Sequence, residues 1–475
     1  MTQSLPVDRV SNLNSQPSLF ADLPHAEIQT PATRAEIVNL TGTIAVNRGV
    51  PRVKRPVRDQ FEFREICVDD LVPSDHPVRA VWTFVMAQDL SSLYDKITAV
   101  EGGVGRDAID PRILMALWLF ATVEGIGSAR EIERRTTRDN PFRWICGGVS
   151  VNHDRLSRFR TGSTELLDDV LTNNITVLMQ QGLVSLKRVA QDGMRVRASA
   201  GRSSFRREQS LQELHTVAQQ QVEALKTNAD ETPSEAATRQ KAARERVATD
   251  REARVAKALA ALPKLSAARE KRKKGDGKTT RVSTTDPEAR NMKMANGGFN
   301  PAYNVQFATD TDSGIIVGLD VSSEGSDAGL AIPMVEQIQK RLATTPAELL
   351  LDGGYAIVKD TITLTQLGVV VYMPVKEEDK KIAKGIDPFM PISTDTPEVA
   401  AWRQRMGLPQ SKKIYKERAS TAEWVNAQAR NRGLQQFRVR GLLKVRDVAK
   451  WFAIVHNLIQ GLALIAKSAQ VVACR

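Results

Sequence analysis

Glu348-Leu349-Leu350-Leu351-Asp352-Gly353-Gly354 is a short apolar run stopped by a carboxylate and two glycines. A run of that length with such an ending reads as a buried strand. Downstream come a helical stretch near Val358–Leu367 and a second apolar run, Val369-Val370-Val371-Tyr372-Met373. Upstream lie a helix from about Asp327 to Leu342 and two strand signals, Tyr303–Thr309 and Gly314–Val321, joined by Asp310-Thr311-Asp312-Ser313-Gly314. Earlier still, Val189–Ala198 alternates like a strand. Two strands, a helix, a strand, a helix and a strand imply an α/β core with a sheet of mixed direction. Open α/β sheets bind ligands at the carboxyl ends of their strands. Asp352 delivers a carboxylate to that edge, and Asp192 sits in the first strand. Hard divalent cations take such oxygen ligands, and a pair of them can drive phosphodiester cleavage. Each acid alone reads equally as a turn residue capping a backbone group.

A third acid has to come from another element. In Tyr415-Lys416-Glu417-Arg418-Ala419-Ser420-Thr421-Ala422-Glu423-Trp424, Glu423 falls in the first turn of a helix expected over Thr421–Arg432. Arg430, seven residues on, shares its face. Glu417 is a competing acid placed before that helix, whereas Asp310, Asp312 and Asp320 read as turn or surface residues. Spacing alone leaves Glu423 and Arg430 an ordinary surface pair.

The remainder of the chain organises around this core. Its 475 residues exceed what one hydrophobic core usually serves. Residues 1–60, rich in Ser, Pro, Thr and Asn and ending in a basic stretch, read as a disordered basic arm. Residues 61–182 read as a helical domain. Asp110-Pro111 opens one helix, which stops near Gly125; Ser128 with Glu131 forms a capping box for a second, reaching about Arg138. The pair outlines a helix-turn-helix, with Arg130, Arg134, Arg135 and Arg138 suited to phosphates, or equally a plain helical hairpin. Further helices fall near Asp154–Arg160 and Thr164–Gln180. The core, 183–467, is interrupted at 201–299 by a basic helical insertion with breaks at Pro233 and Pro263. A second interruption, 376–413, reads as irregular, and 468–475 as a tail.

Net charge is +12, and residues 201–300 hold 21 Lys and Arg against 13 Asp and Glu. The run Lys271-Arg272-Lys273-Lys274 concentrates that excess and suits a phosphate backbone, where each cation releases a condensed counterion. We expect the insertion to be a DNA-clamping arm, with a dimer contact or a solvated linker as the alternatives. Trp402, Trp424 and Trp451 read as core, with base stacking the alternative. Three scattered cysteines form no zinc spacing or disulfide framework, there is no secretory signal, and no apolar run reaches 18 residues. These features imply a cytoplasmic chain with no membrane span. Phe452–Ala466 reads as a buried or amphipathic helix.

Motifs in order along the chain carry a resemblance. Tyr415, Arg418, Glu423 and Arg430 resemble the Tyr–Arg–Glu–Lys signature of bacterial insertion-sequence transposases with a ribonuclease H-like DDE core. Asn431-Arg432-Gly433-Leu434, Arg440-Gly441-Leu442 and His456-Asn457-Leu458 resemble that family's C-terminal motifs. Asp192-Gly193, Asp286-Pro287-Glu288-Ala289 with Tyr303-Asn304-Val305-Gln306, and Asp352-Gly353-Gly354-Tyr355 are similar to its catalytic strands. Phe61–Arg160 resembles the InsH-like N-terminal domain. Two departures stand out: Arg430 replaces Lys, and four residues rather than three separate Arg418 from Glu423, leaving that helix's register open.

The resemblance implies a ribonuclease H-like α/β fold with an α-helical N-terminal DNA-binding domain and a helical insertion. It implies a metal triad of Asp192, Asp352 and Glu423 holding two Mg²⁺ or Mn²⁺ ions, with Tyr415, Arg418 and Arg430 on DNA. The activity implied is cleavage at element ends and strand transfer of the 3′-hydroxyl into target DNA. A homodimer or higher assembly would form on double-stranded DNA, nucleoid-associated when bound. The alternatives are a structure-specific nuclease of the same fold, a non-catalytic transposase-derived DNA-binding protein, and an RNA-binding scaffold.

Overall fold

A computed structural model of the chain describes residue 65 and residues 67–100, 107–227 and 235–473. The expected arm over 1–60, Pro233 and Cys474 lie outside these residues. The helical region comprises α1 (Pro77–Met86), α2 (Ser91–Tyr94), α3 (Pro111–Val123), α4 (Ala129–Arg138), α5 (Asn140–Cys146), α6 (His153–Arg160) and α7 (Thr164–Gln180). The start signals act as read. The Asp110 side chain accepts from Arg112 N with Pro111 at the first helical position, and Ser128 accepts from Glu131 N. Only that half of the capping box forms, because Glu131 is taken by Arg134 and Arg135. Almost every residue of α3 is buried. α4 packs on α5 and α6, whereas α3 packs on α1, α5, α6 and the C-terminal helix.

The core sheet is built from β1 (Arg188–Arg197), then, after a two-residue ladder of β2 (Phe205–Arg206) with β3 (Val282–Ser283), β4 (Arg290–Lys293), β5 (Phe299–Asp310), β6 (Ile316–Ser322), β7 (Glu348–Leu350) and β8 (Val370–Tyr372). β5 pairs antiparallel with β1 on one side and with β6 and β4 on the other. β7 and β8 continue beyond β1 in parallel. Three antiparallel strands followed by two parallel ones, in the spatial order β6-β5-β1-β7-β8, form the ribonuclease H-like arrangement.

Between β1 and β4 the insertion forms α8 (Glu208–Thr227) and α9 (Glu235–Arg272), packed around Leu211, Val255, Ala258 and Leu262. Pro263 does not break α9 but lies inside it. The sheet resumes at Arg290, within the bounds read as insertion, because the four residues of β4, with Met292 the one apolar side chain, are too few to show alternation.

The helices α10 (Ala331–Leu342) and α11 (Val358–Gln366) flank β7 in the chain, followed by α12 (Glu378–Ala383), α13 (Pro397–Gly407), α14 (Pro409–Arg418), α15 (Trp424–Asn431) and α16 (Leu442–Ala473). Residues 376–413 are therefore largely helical rather than irregular. Pro397 and Pro409 occupy first-turn positions, where a missing N–H costs nothing, so these prolines start helices. Residues 468–473 continue α16 rather than forming a tail.

Leu442–Gln470 is long and apolar enough to cross a membrane, but 67% of its apolar window is buried in the core. It packs on α3, α7, α15 and β6, so the helical region and the sheet share one hydrophobic core. Fully buried Asn457 explains one C-terminal motif: its side chain accepts from Ile316 N and donates to Ile316 O, each at 2.8 Å. Asp286 and Glu288 explain another. Asp286 accepts from Tyr303 Oη at 2.7 Å and Gly441 N at 3.3 Å, and Glu288 accepts from Leu442 N at 3.0 Å. The two acids cap the start of α16, where the helix dipole favours negative charge.

Candidate active site

In the parallel pair of β1 and β7, Ala190 lies opposite Leu350. Two residues on along each chain stand Asp192 and Asp352, and a two-residue step returns to the same face. The register thus brings the two carboxylates to one level on neighbouring strands. Asp352 follows the end of β7, its Oδ1 accepting from Gly354 N at 2.7 Å.

One continuous helical run from Pro409 to Asn431 packs against this edge. It begins at Pro409, twelve residues before the expected start, so Glu417 is inside a helix. Its last turn before α15, Ala419–Glu423, is π-helical. A π turn closes from residue i to i+5, and Arg418 and Glu423 are five apart. The extra residue between them falls within that turn.

Arg418 Nη1 stands 3.6 Å from Asp192 Oδ1, and Asn426 Nδ2 donates to Asp192 Oδ2 at 3.0 Å. The Arg418 guanidinium also lies over the Tyr415 ring, 5.9 Å from its centroid. Asp192, Asp352, Tyr415 and Arg418 therefore come together. Glu423 does not join them: its side chain is exposed, and among the described residues no three acidic, histidine or cysteine side chains gather around one point. Glu417 and Glu348 both pair with Arg188 at 2.5 Å, Asp310 caps the turn at Ser313, and Asp320 pairs with Arg446 at 2.8 Å.

Burial pushes the Asp192 carboxyl up to about 6; nearby Arg418 opposes this, and the Asp352 and Asp327 carboxylates add to it. An acid with a raised folded pKa holds its proton more tightly when folded, so stability falls as pH rises through the window from about 4 to about 6. At about 1.4 kcal/mol per pKa unit the loss is of order 2–3 kcal/mol, complete above pH 6. In metal-free protein, Asp192→Asn should therefore exceed wild type in stability at pH 7 and match it near pH 3. Denaturant unfolding at the two pH values checks this; equal stabilities at pH 7 would contradict it.

Asp327 is a residue of the site's surroundings that the sequence reading did not single out. It lies in the loop before α10, 7% exposed, on the face of β1 opposite Asp192. Its Oδ1 accepts from Asn304 Nδ2 at 2.7 Å and Gln306 Nε2 at 2.8 Å, and its Oδ2 from Arg195 Nη2 at 3.1 Å. Gln306 in turn accepts from Gln191 and from the Tyr355 hydroxyl. This network ties the loop carrying Asp352 to the strand carrying Asp192. The Asn304 and Gln306 positions within Tyr303-Asn304-Val305-Gln306 were its sequence signal.

The DNA-binding candidates are dispersed. Arg430 lines an open groove of about 800 Å³ with Gly193, Arg195, Arg197 and Lys293. Arg130 is exposed on α4, and Arg134 is ion-paired with Glu131. Lys271, Arg272, Lys273 and Lys274 are exposed at the end of α9. Trp402 and Trp451 are core residues donating to Met373 O and Arg160 O, whereas Trp424 is 36% exposed against His456.

Comparison with protein families finds two matches. Residues 66–162 match the Transposase domain (DUF772), and residues 276–446 match the Transposase DDE domain. The chain belongs to the insertion-sequence DDE transposases. The two matches together span more than half of the chain, and the second contains Asp352, Tyr415, Arg418, Glu423 and Arg430. Asp192 precedes it, separated by the α8–α9 insertion. No curated protein and no solved structure matched the chain. DDE transposases act on DNA and in general use divalent metal ions.

Proposed function

We propose that this transposase cleaves phosphodiester bonds at the ends of its element and joins the freed 3′-hydroxyl to target DNA. The observation that carries the reading is the register of β1 with β7, which sets Asp192 beside Asp352 under the Arg418 helix. The donor chemistry suits Mg²⁺ or Mn²⁺. Two like-charged carboxylates crowd together, and the buried Asn426 Oδ1 beside Asp192 has no hydrogen-bond partner, leaving a spare hard oxygen. Asp192 and Asp352 would hold the ions, with Glu423 as third ligand once its exposed side chain turns inward. Bound metal would supply an activated oxygen nucleophile and charge stabilisation at the leaving oxygen.

The chain's own groups do the rest. Arg418, steadied by Tyr415, neutralises charge beside Asp192, and Arg430 holds the strand in the groove. The α4 arginines and Lys271–Lys274 take more distant phosphates, the latter as a clamp. Joining two ends requires at least a dimer on DNA, within a cytoplasmic nucleoid.

The test is incubation of DNA flanking the gene with protein and Mg²⁺ or Mn²⁺. End cleavage with joined products is expected. Cleavage without joining would make it a structure-specific nuclease, and end binding without cleavage a DNA-binding protein.

A further inference from the structure

A second cavity, of about 580 Å³, opens between the α3–α4 turn and the segment that links α15 to α16. Two glycines with left-handed backbones, Gly125 (φ +71°) and Gly433 (φ +85°), let those segments meet; a Cβ on Gly433 would lie 2.8 Å from Gly125 O. Four arginines, Arg160, Arg197, Arg432 and Arg438, line the cavity, and no acidic side chain does.

Arg160 is the telling one. It is 8% exposed, its guanidinium lies 4.4 Å from the Trp118 ring centroid, and Nη1 donates to Gly127 O at 2.9 Å. Its buried Nε has no partner. Burial, together with the like charge of Arg438, lowers its proton affinity to a pKa of about 10. Burying a guanidinium against another cation with no carboxylate in the lining is costly unless an anion completes the site. The cavity also shares Arg197, Leu434 and Gln435 with the groove that Arg430 lines, so the basic surface is continuous from one to the other.

We propose that this arginine cavity seats one backbone phosphate of the DNA strand that runs through the groove lined by Gly193, Arg195 and Arg430, so that the helical region and the core grip the same strand. The proposal rests on the DNA-cleaving reading above for its ligand. The cavity's contacts are phosphate contacts, so it positions DNA without reading its sequence.

The test measures duplex binding by the full chain against salt concentration, without divalent metal, so cleavage plays no part. Arg438 is exposed, and Arg438→Ala leaves the Trp118 and Gly127 contacts of Arg160 intact. We expect roughly tenfold weaker binding, similar on unrelated sequences, with the slope of log K against log salt reduced by about 0.9. Arg438→Lys should restore most of both. Inorganic phosphate should raise the melting temperature of wild type but not of Arg438→Ala, whose unliganded form should melt no lower than wild type because a like-charge contact is relieved.

An unchanged slope would overturn the proposal. A phosphate-dependent melting shift with an unchanged slope would overturn it too, assigning the cavity to a free anion. Absence of end cleavage by wild type in the separate Mg²⁺ or Mn²⁺ assay, with the slope change intact here, would overturn only the catalytic reading. Failure of wild type to bind DNA would overturn both.

Discussion

Asp352→Asn should reduce end cleavage at least about 1000-fold while leaving DNA binding within about twofold. The substitution keeps shape and the hydrogen bond from Gly354 N, since the amide oxygen accepts as the carboxylate does. It removes the negative charge that a hard cation requires. Losses of this size are expected when a group acts on charge that develops in the transition state rather than on substrate binding. Asp192→Asn should behave alike, with Asn426 Nδ2 still hydrogen-bonded to the new side chain's oxygen. Gel-based cleavage and filter binding on the same duplex separate the two effects. A parallel fall in binding and cleavage would mean that the acids merely maintain the fold.

Gly193→Ala should destabilise the protein by about 2–4 kcal/mol and abolish cleavage. A Cβ here would come within 3.0 Å of Gln306 Nε2, Asp327 Oδ1 and Asn304 Oδ1 together. Ordinarily side-chain ends give way cheaply, but these are almost fully buried and bound to one another. Moving any of them leaves a buried donor or acceptor unpaired, at about 1–3 kcal/mol each, in addition to the cost of overpacking. Because the same network holds the Tyr355 hydroxyl, the displacement reaches the loop that carries Asp352. Urea unfolding gives the stability change. A loss under about 0.5 kcal/mol would show that the network is loose and that Gly193 is no more than a strand residue.

How far these features can be read in the sequence depends on how local their causes are. Asp352 was legible as a candidate because a strand that ends in an acid declares itself within a few residues, whereas Asp192, in the middle of β1, stood out only through the motif resemblance. The α3 and α4 boundaries were legible through their caps. Asp327 was not, because it sits in an aperiodic loop and acquires its partners from β1 and β5, more than twenty residues away. Pro397 and Pro409 misled because proline marks a break and a first helical turn alike, and only the following residues' packing decides between them. The spacing around Glu423 left the register open until the π turn accounted for it. The Arg160 cavity could not have been found, since its walls come from residues 125–127, 160, 197–199 and 432–438.

The most direct test of the shared carboxylate site is to count Mn²⁺ bound to the full chain on its end DNA by electron paramagnetic resonance, in wild type, Asp192→Asn and Asp352→Asn. Tight binding in wild type, with the same ion lost in each variant, is the expected result. Retention of that ion by either variant would contradict a site built from both aspartates.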